Sequence, residues 1–214
     1  MTYQVKLDNY KSYDDLGLKV LSDNLSRAIS RQVYQTINGM DGSYNMTNVV
    51  HGRVTYEPRT LTVIFQSFAK TEQLYDELCS NLDSLFSGQS LKIIRDCDTE
   101  HYLTGEATFE SEQSFCTQQH TLTVVCYPFR FNLDETEETF EIDNEDEITL
   151  TNEKMPVQPV FSTQDSGMLV VFGTKEYNIV DELSSREIYL LEGQTTLTIK
   201  GTGTVAITYR QGVL

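Results

Sequence analysis

The sequence predicts a mainly β fold with one α-helix (α+β). The expected arrangement is a first half of strands around one helix, followed by a small C-terminal β-sandwich or jelly roll. Three observations carry this. Short runs of alternating apolar and polar residues recur along the chain, one segment switches to helical spacing, and the charge changes sharply after residue 130. Residues 1–130 carry 11 Lys and Arg against 16 Asp and Glu, whereas residues 131–214 carry 5 against 16. The break falls at Leu133–Glu147, where positions 134–147 hold nine carboxylates and no cation, just after Tyr127-Pro128-Phe129. A composition shift beside a proline marks a domain boundary, expected near 132–136, with domains at 1–132 and 133–214.

The elements follow in order. Leu16–Leu21 and Arg31–Ile37 read as short strands, and Asn38–Ser43, with Gly39 and Gly42, as a tight turn or bulged loop. Val54–Phe68 alternates Leu61, Val63 and Phe65 against Thr60 and Thr62, with Pro58 at its start. The period then changes. Leu74, Leu78, Leu82, Leu85 and Phe86 lie on one helical stripe, with Thr71 as N-cap, Glu72 complementing the dipole and Gly88 as the C′ stop. This helix exposes Glu72, Asp76, Glu77 and Asp83. Ser90–Asp96 reads as a strand, Cys97–His101 as a polar turn, Tyr102–Glu112 as a strand and His120–Phe131 as another. In the last of these, Leu122, Val124 and Cys126 face one way and Thr121, Thr123, Val125 and Tyr127 the other. After residue 132 eight short strands are expected: TFEIDN, EITLTN, QPVFSTQ, GMLVVFG, KEYNIV, REIYLL, TTLTIKG and GTVAITYR.

Composition narrows the function. With 16 Lys and Arg against 32 Asp and Glu, the formal net charge is −16 over 214 residues. That is the wrong sign for releasing counterions from phosphates or for seating on an anionic membrane. No window approaches the ~20 apolar residues of a membrane span, and the first residues lack a positive n-region followed by an apolar run. The expected setting is therefore a cytoplasm. The 12 Tyr and 10 Phe supply buried area for a core. Cys79, Cys97, Cys116 and Cys126 form no Cys-x-x-Cys pair and read as reduced thiols.

Catalytic templates find no match. His51, His101 and His120 form no metal motif, and no Gly-x-Ser-x-Gly or phosphate-binding glycine loop occurs. Asp96-Cys97-Asp98-Thr99-Glu100-His101 alternates carboxylates, but His101 stands where a calcium loop needs glycine. The acidic run, with Phe140, Ile142 and Ile148 spaced through it, reads as a strand with one buried and one hydrated face. No catalytic residue, metal or cofactor is expected. A glycan site in the second half is the ligand alternative, with Tyr177, Tyr189 and Tyr209 in place of the missing Trp.

The segments KSYDDLGLKVL, INGMDGSYNMT, GRVTYEPRTLTVIF, the helix with its LDSLFSG exit, KIIRDCDTEHYLTGEATFE and LTVVCYPFRF occur in that order over residues 1–131. This order resembles the distal tail proteins of long, non-contractile-tailed phages. The resemblance implies a tail-tube-like first half, a β-sandwich with a flanking helix that closes into a six-membered ring, and a galectin-like β-sandwich as the second half outside it. It implies a virion protein at the tail tip, assembled in the host cytoplasm. Its partners would be copies of itself, the tail-tube protein, the tail-associated hub protein and a receptor-binding protein, with no sequence-specific nucleic acid and no membrane. The ring would connect the tail tube to the adhesion apparatus and leave a channel for DNA, which an acidic wall would not bind. Glu72, Asp76, Asp96 and Asp98 are candidates for that wall. For subunit contacts, Gly39, Asp41 and Gly42 are expected to shape a loop at the interface, and Arg53 and Arg59 to form ion pairs across it. A carbohydrate-binding module docking on cell-wall glycan is the competing function.

Overall fold

The alternation at Leu61, Val63 and Phe65 becomes a central strand on which the first half is assembled. The computed structural model of the chain describes residues 2–47, 52–114 and 117–214. It divides into two units, Met1–Pro128 and Phe129–Leu214. His51 and Cys116 lie outside the described residues.

The first unit contains β1 (Val5–Leu7), β2 (Tyr10–Lys11), β3 (Lys19–Leu25), β4 (Tyr34–Thr36), β5 (Ser43–Asn45), β6 (Arg59–Ser67), α1 (Glu72–Phe86), β7 (Ser90–Arg95), β8 (Asp98–Ser114) and β9 (Thr117–Cys126). The main sheet runs β2-β1-β7-β8-β9-β6-β3, with antiparallel neighbours throughout. Its inner face buries Val5, Leu7, Leu61, Val63, Phe65, Leu91, Ile93, Leu122 and Val124. β8 serves two neighbours, pairing with β7 up to Glu106 and with β9 from Gly105 onward. Gly105 makes the change possible: a Cβ there would stand 2.2 Å from Val125 O and 2.7 Å from Cys126 Cα.

Helix α1 forms where its period predicts. Thr71 Oγ1 accepts from Leu74 N at 3.3 Å, and Gly88 takes the left-handed C′ conformation with φ 72°. No β-branched residue interrupts it. Tyr75, Leu82 and Phe86 are its buried residues, with Leu78 partly buried, and full burial stabilises by about 1.5–3 kcal/mol per large apolar side chain. The expected stripe is thus corrected: Tyr75 belongs to the buried face, while Leu74 and Leu85 are exposed. The sheet meets the helix one residue round from the leucine row.

Other expectations shift too. Leu16 and Gly17 lie in a turn, with Gly17 at φ 66°, and the strand after them runs Lys19–Leu25. The polar turn at Cys97–His101 shortens to Asp96–Cys97, because Arg95 pairs with Asp98 and β8 begins there. β9 stops at Cys126, before Pro128, rather than continuing through Phe131.

The second unit contains β10 (Arg130–Asn132), β11 (Thr136–Asn152), β12 (Val160–Ser162), β13 (Leu169–Phe172), β14 (Lys175–Asn178), β15 (Glu182–Ser184), β16 (Gly193–Tyr209) and β17 (Gly212–Val213). Two pairs of expected strands fuse: TFEIDN with EITLTN into β11, and TTLTIKG with GTVAITYR into β16. REIYLL contributes only a bridge, Leu190 to Val157. β11 and β16 pair without a break from Thr136↔Tyr209 to Asn152↔Gly193. On its other edge β16 takes β13 at Thr198–Lys200 and β12 at Ala206–Thr208. All six strands from β11 to β16 belong to one sheet, and Ile148, Leu150, Phe161, Val170, Leu197, Ile199, Val205 and Ile207 on it are buried. The acidic run lies on β11 as expected, with Ile142 and Ile148 buried and its carboxylates mostly exposed.

Candidate functional site

The chain between β3 and β6 leaves the main sheet. β4 and β5 pair only with each other, Tyr34↔Asn45, Gln35↔Tyr44 and Thr36↔Ser43, as a separate two-stranded sheet. Every residue from Arg31 to Asn45 is exposed. The turn that closes the hairpin holds Gly39 at φ 87° and Gly42 at φ 82°, with Asp41 between them. Neither glycine has an atom within 4 Å of where a Cβ would sit, so they serve the turn rather than close packing within this chain.

The base of this arm is tied. Ser30 bridges Tyr56, Arg31 N donates to Thr55 O, and Glu57 N donates to Ile29 O. Arg31 and Glu57 form a two-point ion pair, Nε to Oε1 at 2.8 Å and Nη2 to Oε2 at 3.2 Å. The guanidinium holds the Glu57 carboxyl below its ordinary range. Further out, Met46 N donates to Val33 O, and Val33 N to Thr47 Oγ1.

Alternation and register divide the arm into two faces. Thr36 and Ser43 stand opposite each other on one face, their hydroxyls 3.5 Å apart. Val33, Gln35, Ile37, Tyr44 and Met46 take the other, which is apolar apart from Gln35. Among the described residues nothing covers that face: Val33, Ile37 and Tyr44 are exposed, as are Ile29, Tyr34 and Met40 nearby. An isolated two-stranded hairpin is marginal in water, and clustered exposed apolar residues mark an interaction surface. Sequence reading noticed the glycine turn but missed this face, because Val33, Ile37 and Tyr44 resemble an ordinary strand until the sheet they lack is seen.

The candidate contact residues thus separate. Gly39, Asp41 and Gly42 form the exposed tip, and Arg53 is half-buried near the base. Arg59 lies at the start of β6, 8% exposed, with Nε donating to Ser26 O at 2.8 Å. It joins β6 to the segment leading into the arm.

The histidines occupy two settings. His101 Nδ1 lies 2.7 Å from Asp98 Oδ1, while Asp96 accepts from Gln4 N. No group of three or more metal-ligating side chains converges among the described residues. His120 is 0% exposed, beneath α1, between Ser67 Oγ at 2.9 Å from Nε2 and Ser111 Oγ at 2.8 Å from Nδ1. Ser67 donates its proton to Gln118 Oε1, so His120 donates from Nε2 and accepts from Ser111 at Nδ1. Burial lowers its pKa, against a weaker opposite pull from Asp83. This Ser–His contact is sealed in the core and open to no substrate.

In the second unit Tyr209 is buried and donates to Glu138 Oε1 and Thr151 O, which places it in the core. Tyr177 donates to Glu187, and Tyr189 packs edge-on against Phe172. A concavity of about 610 Å³ is lined by Ser162, Thr163, Gln164, Asp165, Asp181, Thr204 and Ala206, with none of the three tyrosines.

No family model matches the chain, and no curated protein matches it. The chain does resemble the crystal structure of Dit (gp 19.1) of phage SPP1, a protein called a paradigm of hub adsorption apparatus in phages infecting Gram-positive hosts. The match covers 100% of both chains with a TM-score of 0.69 at 16% identity. At that identity the likeness is one of fold, and it extends through both units.

Proposed function

We propose that the chain is a structural virion protein, a distal tail or baseplate hub component. Six copies close into a ring that connects the tail tube to the tail-tip adhesion apparatus and leaves a channel for DNA. The full-length likeness in fold to a phage hub protein supports the setting. The observation that carries self-assembly is the arm: a mostly apolar ribbon face, exposed along residues 31–45, that stands apart from the main sheet. Gly39, Asp41, Gly42 and Arg53 belong to this contact region. Arg59 supports it from within the chain, by anchoring the arm's root at Ser26. The second unit is the outer, galectin-like domain, and the tail-tube protein, the tail-associated hub protein and a receptor-binding protein are the partners outside the ring. The net charge of −16 per copy suits a conduit that must not hold DNA.

Sedimentation and negative-stain imaging test this reading. A ring with an open centre is expected, and its subunits can be counted directly. A chain that stays monomeric at tens of micromolar, alone and with tail-tube protein, would sink it.

A further inference from the structure

We propose that the second unit binds a neutral saccharide in the concavity formed by the end of β12, the start of β15 and the middle of β16. The site is independent of the ring reading and adds a ligand to the C-terminal half of the chain.

The hollow measures about 610 Å³, inside the roughly 300–1,000 Å³ of small-ligand sites. Its floor is β-sheet: Ser162 and Ala206 stand opposite each other in the β12–β16 register, with Thr204 two residues along β16. Two turns add a carboxylate each, and Thr163 ties both turns to the sheet. Its Oγ1 donates to Thr204 O at 2.7 Å and accepts from Asp165 N at 3.1 Å, while its own N donates to Asp181 O at 3.0 Å. Asp165 Oδ2 accepts from Thr204 N at 2.8 Å. That carboxylate lies against Gly203, where a Cβ would stand 2.2 Å from Oδ2. Asp181 takes a left-handed φ of 60°, which aspartate tolerates. The turns that carry Asp165 and Asp181 are therefore fixed before a ligand arrives, which lowers the ordering cost of binding.

The lining selects the occupant. It offers two carboxylates, the Gln164 amide and three hydroxyls, with no cation. Such a wall repels phosphates and acidic sugars, and the charge of −16 on the chain adds to the repulsion. No third metal-ligating side chain joins Asp165 and Asp181 among the described residues. The lining holds no aromatic ring, and Ala206 is its one aliphatic side chain, so an apolar ligand finds little to bury against. Asp165 Oδ1, the Asp181 carboxylate and the Gln164 amide make no hydrogen bond within the chain, and they border the same hollow. They match a ligand that presents several adjacent hydroxyls, each able to donate a charge-assisted hydrogen bond to a carboxylate. A neutral sugar does this and sets a C–H face toward Ala206.

Saturation-transfer difference NMR on the full-length chain tests the site, with glucose, galactose, mannose, rhamnose and N-acetylglucosamine each titrated to tens of millimolar. At least one should bind saturably with a millimolar Kd, and glucuronate should not. Asp165→Asn combined with Asp181→Asn keeps an oxygen for Thr204 N and a residue that accepts the left-handed turn. Circular dichroism and melting should then be unchanged, while the affinity for that sugar falls roughly tenfold or more. Silence from all of these sugars, equal affinity for parent and double variant, or binding of glucuronate as tight as glucose overturns the proposal. So does a rise in melting temperature with calcium chloride that the double variant abolishes, without any sugar signal, since that marks a cation site. None of these outcomes bears on the ring reading.

Discussion

Asn144 stands directly opposite Gly201 in the β11–β16 ladder, and both have positive φ, 69° and 124°. The pair lies where β16 changes partner on its other edge, from β13 at Thr198–Lys200 to β12 at Ala206–Thr208. A Cβ on Gly201 would meet Met168 Sδ at 2.6 Å and Gly167 O at 3.0 Å. Gly201→Ala is expected to destabilise the protein by about 2–3 kcal/mol, from the forced φ and the contact together. Asn144→Gly should cost under about 0.5 kcal/mol, since asparagine there already tolerates a left-handed backbone. Urea unfolding of both variants checks the contrast.

Gly105→Ala attacks the partner change of β8. The clash is with backbone, Val125 O and Cys126 Cα, so no rotamer relieves it. A loss of about 3 kcal/mol is expected, with a fall in Tm of the first unit by roughly 2–4 °C per kcal/mol. A calorimetric scan resolving the two units should show the first unit's transition move alone.

His120 gives the first unit an acid limit. Its pKa is lowered in the folded state, mainly by burial, so below about 6.5 the unfolded chain takes up a proton that the folded chain refuses. The stability from a neutral His120 is fully present above that pH and declines as pH falls through it. Protonation also turns Nδ1 into a donor, so the Ser111 hydroxyl must rotate to accept. Unfolding free energy measured from pH 7.5 to 5 should fall for the parent and fall less for His120→Gln. Equal slopes would remove His120 as the cause.

The Asp23 side chain on β3 is 7% exposed, with Arg95 Nε at 2.8 Å from its Oδ2. Tyr3 donates to the same oxygen, while Oδ1 is buried without a partner. Arg95→Met should cost about 3 kcal/mol by stranding the carboxylate. Adding Asp23→Asn should recover part of that loss. A double-mutant cycle showing additive losses would contradict this pairing.

Much of the architecture was legible from local pattern. Helix α1, its Thr71 cap and Gly88 stop follow from 3.6-residue spacing and end chemistry. β6, β7 and the inward row of β9 follow from alternation. The errors share one cause: continuity across a turn signal is a property of pairing. Asn144 and Gly201 each read as punctuation, yet opposite one another they lie within one unbroken ladder rather than at two ends. Asp98 looked like turn chemistry until Arg95 was found to pair with it.

The sequence alone determined which segments bury one face, where helix α1 starts and stops, and how strongly acidic the chain is. These depend on side-chain period, backbone propensity and net charge, which are written residue by residue. Only the tertiary structure decided which apolar faces find cover. Leu82 and Leu85 are equally hydrophobic, and Leu61 and Val33 both lie in β-forming runs. Leu82 and Leu61 meet the sheet core, whereas Leu85 and Val33 face solvent, because burial depends on what the folded chain brings opposite a residue.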